Sequence, residues 1–164
     1  MSTRAESPIR PTDPEARALA RSLIRDARHA ALGVIAPDTS RPLVTRIAFG
    51  TTAQGQPLTL ISDLSHHTRA LVANPAASVL LGEPGPRGDP LTHPRLTLQV
   101  TARFVRHGSD AYAELAAHYL RDHPKARLYI GFADFSFAVF TVDKAYLNGG
   151  FGKAFVLTAD DLQA

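Results

Sequence analysis

The sequence predicts a mainly β protein: an antiparallel barrel of about six or seven strands, closed or nearly closed, with about three helices packed on its outside. Three observations lead there. Several stretches alternate apolar and polar residues with period two, as in "PLVTRIAFG" and "LTLQVTARF". Most of these stretches join through turns of hairpin length, such as "AQGQP". A doubly wound parallel sheet would need a helix between nearly every pair of strands, and those helices are missing.

The elements follow in order. Residues 1–11, with Pro8 and Pro11 among polar neighbours, form a flexible N-terminal arm, and residues 12–164 form a single domain. Thr12 or Asp13 caps a helix from Asp13 to His29, with Pro14 in its first turn and Glu15 able to reach back. Leu19, Leu23, Ile24 and Ala27 share one face of it. "ALGVIAP" is a strand, and the turn Pro37–Ser40 leads to the next, where Leu43, Thr45, Ile47 and Phe49 face one way and Val44, Arg46 and Ala48 the other. Leu58–Ser62 suits a half-buried strand. It hands over to a short helix, Ser65–Ala73, ended by Asn74-Pro75. "ASVLLGE" is a strand and residues 82–94 a Gly/Pro loop. The longest alternating strand then places Leu96, Leu98, Val100, Ala102 and Phe104 on one face. Ser109 caps an amphipathic helix bearing Tyr112, Leu115, Ala116, Tyr119 and Leu120. A last long strand, "FADFSFAVFTVDKAYL", precedes "NGGFGKAFVL".

Composition narrows the function. Hydrophobic residues are 45% of the 164, which suits a globular chain. No apolar run approaches the ~18–20 residues that span a bilayer, and the N-terminus lacks the apolar core of a signal peptide, so a cytoplasmic protein without membrane contact is expected. There are no cysteines, which excludes disulfides and thiolate metal sites. The net charge is +3 with the basic residues scattered, unlike a nucleic-acid footprint. His118 and His123 miss the spacing of a helical metal pair, and no metal site is expected. Neither a Gly-x-Gly-x-x-Gly, a Walker loop nor a Gly-x-Ser-x-Gly elbow occurs.

Two stretches carry candidate chemistry. In "LTLISDLSHHTRALVANP", Ser65, His66, His67, Thr68 and Arg69 crowd donors onto the first turn of a helix, where free N–H groups and the helix dipole favour an anion. The plainer alternative is that Ser65 only caps the helix while the histidines point to water. In "NGGFGKA", the glycines around Phe151 require a sharp turn or a close approach, and Lys153 adds a cation. A tight loop without a ligand explains that stretch equally well.

Taken together, "ALGVI", "PLVTRIAF", "PLTLISDLSHHTRAL", "NPAASVLL", "DPLTHPRLTLQVTARF" and "GGFGKA" resemble the flavin-mononucleotide-binding split barrels, the pyridoxamine 5'-phosphate oxidase-like superfamily, over roughly Arg21 to Phe155. The resemblance is nearest to the haem-utilisation branch, without the additional C-terminal domain usual there. It implies a flavin mononucleotide (FMN) phosphate at the start of the short helix, on Ser65, His67, Thr68 and Arg69. Thr45, Arg46 and Ile47 would line the flavin edge, Ile61 and Ser62 would lie beneath the ring, and Arg95 would reach the cofactor. Phe151, Gly152 and Lys153 would close the site across a homodimer with two composite sites. The implied function is an FMN-dependent oxidoreductase with no readable substrate or acid–base residue. The chain ends without the Arg-x-His segment by which the oxidases hold pyridoxal. The alternative is a non-catalytic haem- or flavin-binding protein, in which His66, His93 or His123 would stand near the iron.

Overall fold

A computed structural model describes residues 7–163. In chain order it contains β1 (Ile9–Arg10), α1 (Pro14–Asp26), β2 (His29–Ile35), β3 (Pro42–Ala48), β4 (Gly50–Thr51), β5 (Pro57–Ser62), α2 (His66–Ala73) and β6 (Ala76–Leu81). There follow β7 (Arg95–Arg106), α3 (Asp110–Asp122), β8 (Phe135–Asn148) and β9 (Ala154–Leu157). The expected mainly β architecture with three α-helices is present. Two of the nine strands among the described residues, β1 and β4, are only 2 residues long.

Pairing runs β3–β2–β6–β7–β8–β5–β4, antiparallel throughout. Only Phe49 separates β3 from β4, so one bent stretch of chain pairs β2 at its start and β5 at its end, and the barrel closes on itself. The Thr59 hydroxyl donates to the Ala48 carbonyl at 2.6 Å across that corner. β8 is the shared stave. One edge pairs β7 from Ser136 to Asn148, while the other pairs β5 through Phe135–Val139 and β9 through Ala145–Asn148.

A bulge makes this division workable. Gln99 pairs Lys144 and Val100 pairs Val142, so Asp143 is extra. The barrel-facing residues of β8 accordingly switch from Ala138 and Phe140 to Ala145 and Leu147. These join Leu32, Val34, Ile47, Phe49, Ile61, Leu96 and Leu98 in the main core, to which α1 contributes Ala16, Ala20 and Ile24 and α2 Ala70 and Leu71. A second core on the outside packs Tyr112 and Tyr119 of α3 against Leu58, Leu60, Phe137 and Val139.

Four expectations need correction. α1 stops at Asp26, because Ala27 is already extended and His29 pairs with Ala48. β5 is buried on both faces, not half-buried, because α3 covers its outer side. The short helix begins at His66, and the Ser65 hydroxyl makes no capping bond. Part of the stretch expected as an arm is strand: Ile9 and Arg10 run parallel to Ala154 and Phe155 of β9, while residues 1–6 lie outside the described residues. The caps expected at Asp13 and Ser109 accept the N–H of Ala16 and Tyr112.

Candidate functional site

The junction of β5 and α2 is built from the backbone outward. The Ser62 carbonyl accepts the Ser65 N–H at 3.1 Å and the Thr68 hydroxyl at 2.7 Å. The Ser62 hydroxyl donates to Asp134 Oδ2 at 2.6 Å and accepts the Leu64 N–H at 3.1 Å. The Asp63 N–H reaches the Asp134 carbonyl at 2.8 Å, so Asp134, just before β8, holds both sides of the turn. Thr68 and Arg69 N–H groups return to the Ser65 carbonyl and start the helix. The Ser65 hydroxyl, which makes no capping bond, and the N–H groups of His66 and His67 remain as donors at the positive end of α2.

The side chains assigned from the sequence divide sharply here. Thr68 is 2% exposed and its hydroxyl is turned inward to Ser62. His67 bridges to β3, its Nδ1 lying 3.0 Å from Thr45 Oγ1, while its Nε2 is buried without a partner. Burial, reinforced by neighbouring His66, pushes the His67 imidazole below the usual histidine range, so it stays neutral near pH 7. The pair expected on the phosphate therefore points largely into the protein. His66 and Arg69 face outward instead, and line a cleft of about 470 Å³ with Asp38, Thr39 and Leu43. Arg46 is exposed on β3, whereas Ile47 and Ile61 are core residues.

The remaining predicted residues sit elsewhere in the same chain. Arg95 donates to the Leu91 carbonyl at 2.9 Å and pins the loop of residues 82–94. Phe151 is 95% exposed at the tip of the β8–β9 hairpin. That hairpin is closed by Gly149 N–H to the Lys153 carbonyl, and it needs Gly150 at φ 127° and Gly152 at φ 69°. The 14 residues of β8 separate this end from the β5–α2 junction, roughly 40 Å at strand rise. One chain does not bring the two groups together.

The histidines also sort themselves. His93 Nδ1 accepts the Gly85 N–H at 3.0 Å and its Nε2 lies 2.8 Å from the Arg87 carbonyl, so both ring nitrogens are engaged in the loop. His123 Nε2 lies 2.8 Å from the Phe49 carbonyl, and its ring stacks on Tyr119 at 4.2 Å. Of these and His66, only His66 is exposed with no ring hydrogen bond. No cluster of metal-ligating side chains occurs, and no helix is long and apolar enough to cross a membrane, among the described residues. Asp134 was not legible as part of this junction, because it lies 72 residues from the serine it holds.

Residues 11–163 match the family described as CREG, beta-barrel. A curated relative, the chloroplastic non-canonical heme oxygenase HOZ of Arabidopsis thaliana, is 37% identical over 97 residues, which are 58% of this chain and 28% of that protein. A solved heme binding protein from Mycobacterium smegmatis is 27% identical with a TM-score of 0.79, covering 94% of this chain and 61% of its own. A Clostridium acetobutylicum protein of the pyridoxinephosphate oxidase family shares the fold, at 13% identity and a TM-score of 0.69 over 92% of this chain and 99% of its own. The chain thus spans under a third of HOZ and about three fifths of the mycobacterial protein.

Proposed function

This chain belongs to the CREG β-barrel family, a split barrel of the pyridoxamine oxidase-like type, and on that footing we propose that it is a haem-binding protein with its ligand site at the start of α2. The observation that carries the reading is the pairing of exposed His66 with exposed Arg69 at one cleft, while both ring nitrogens of His93 and the Nε2 of His123 are held within the fold. Haem would take a nitrogen donor for its iron and cations near its carboxylates, and His66 and Arg69 would supply them. The likeness to a heme binding protein and to a heme oxygenase supports haem over other planar anions. Haem, when bound, supplies one-electron and oxygen chemistry; the protein orients it and limits water.

A second reading, an FMN-dependent oxidoreductase, is favoured by the unengaged Ser65 hydroxyl and the free N–H groups of His66 and His67, which suit a phosphate. In either case a second copy is needed to add Phe151, Gly152 and Lys153 to the site. The outer face of β2, β3 and β6, where Ile35, Val44 and Leu80 stand exposed around Gly33, supports docking of that copy.

The test is a haem titration of purified protein, followed in the Soret region, beside an FMN titration followed by flavin fluorescence. A saturable Soret band in wild type that shifts or vanishes in His66→Ala supports haem at this site. An identical band in His66→Ala moves the iron elsewhere. Saturable flavin quenching without a Soret change selects the second reading.

A further inference from the structure

The short strand β1 has a role that the proposed site does not yet include. Its pairing beside β9 sets Arg10 opposite Phe155, and the Thr12 hydroxyl donates to the Val156 carbonyl at 3.0 Å, so this stretch is laid along the hairpin strand. Arg10 Nη2 then comes within 3.9 Å of the position a Cβ would take on Gly152. Arg10 and Lys153 line one pocket of about 270 Å³, floored by Leu19 and Phe155. The pocket also holds Asp13 and Glu15. Asp13 is occupied by the N–H of Ala16 at 2.7 Å, and Glu15 sits in the first turn of α1, where the helix dipole favours it. Among the described residues neither Arg10 nor Lys153 forms an ion pair. Two unpaired cations thus flank the tip that presents Phe151, itself 95% exposed.

We infer that Arg10 is a ligand-binding residue: with Lys153 it reaches the anionic oxygens of a planar ligand that the His66–Arg69 cleft of a second copy also holds. The inference rests on the proposed function and adds a residue and a chemical class to it. An aromatic ring flanked by two cations suits a ligand with a flat apolar body and charged oxygens at its edge. Carboxylates of haem and the phosphate of FMN share that chemistry. Arg10 acts in trans, because its own chain's cleft lies at the other end of β8.

The experiment compares wild type, Arg10→Ala and Arg10→Lys for binding of haem against haem dimethyl ester, and of FMN against riboflavin. Arg10→Ala should weaken the acid form about tenfold or more and leave the ester or the nucleoside form unchanged, with partial rescue by Arg10→Lys. Arg10 is exposed, so the melting temperature should hold in all variants. Differently tagged Arg10→Ala and Arg69→Ala chains, co-expressed and purified through both tags, should regain one wild-type site per dimer. Unchanged acid binding in Arg10→Ala overturns the inference, as does equal weakening of acid and neutral forms. Failure of the mixed dimer to recover overturns action in trans. Wild type that binds none of the four ligands removes the proposed function itself, a result read before any variant is made.

Discussion

Replacing Asp134 by alanine tests the architecture of the β5–α2 junction. Its Oδ2 accepts the Ser62 hydroxyl at 2.6 Å, a charge-assisted bond of a kind that contributes about 1.5–3 kcal/mol. Ser62 is half-buried and keeps the Leu64 N–H, so the released hydroxyl can turn to water and the lower figure applies. The main-chain bond from Asp63 to the Asp134 carbonyl survives the substitution. A loss of about 1.5 kcal/mol lowers Tm by roughly 3–6 °C in a domain of this size. Asp134→Asn retains an acceptor oxygen and should lose about half as much. Thermal unfolding followed by circular dichroism, with urea midpoints beside it, measures both. The Ala variant should also bind haem more weakly than the Asn variant, because His66 and Arg69 ride on the turn that Asp134 fixes. An Ala variant that melts within about 1 °C of wild type, or an Asn variant that falls as far as Ala, refutes this account of the junction.

Three further outcomes are expected. Tyr119→Phe removes a buried hydroxyl that has no partner and should stabilise by about 1 kcal/mol, read as a higher urea midpoint; a lower one contradicts the packing described. Gly82→Ala should destabilise by more than about 2 kcal/mol, since Gly82 has φ 98° and a Cβ there would lie 2.4 Å from the Pro94 carbonyl oxygen. His123 is pushed below the usual histidine range by burial, against a smaller opposing effect of its bond to Phe49. The unfolded chain therefore takes up this proton first as pH falls. Its contribution is complete above pH ~6.5 and declines below that until the folded group also protonates. Urea midpoints between pH 7.5 and 5.5 should fall less in His123→Gln than in wild type.

Much of the architecture was legible because local signals and tertiary packing agree. The alternation of Leu96 through Phe104 is the barrel-facing row of β7, and Asp13 and Ser109 cap the helices they precede. What escaped depended on distant partners. The double burial of β5 follows from α3, and the pairing of Ile9–Arg10 follows from β9 more than a hundred residues on. At the candidate site, the helix start at Ser65–His66 could be read from residue types, but side-chain direction could not. Ser62 turns Thr68 inward, Asp134 fixes Ser62, and Thr45 draws in His67, so the outward positions fall to His66 and Arg69. Each of those constraints comes from another strand or from the turn before one.

Because α3 covers the outer face of its first half alone, β8 stands under different rules of tolerance on either side of Asp143. Before it, Ser136 to Phe140 are enclosed on both sides, and a charged replacement at any of them should be damaging. Beyond it only Ala145 and Leu147 are enclosed, so harm should recur at every second position and spare Lys144 and Tyr146. A saturation scan along this strand would record that change of rhythm directly. Deleting Asp143 would leave Val142 opposite Val100 and Lys144 opposite Gln99, so Ala145 and Leu147 should stay enclosed and only the local bend of the strand should be lost.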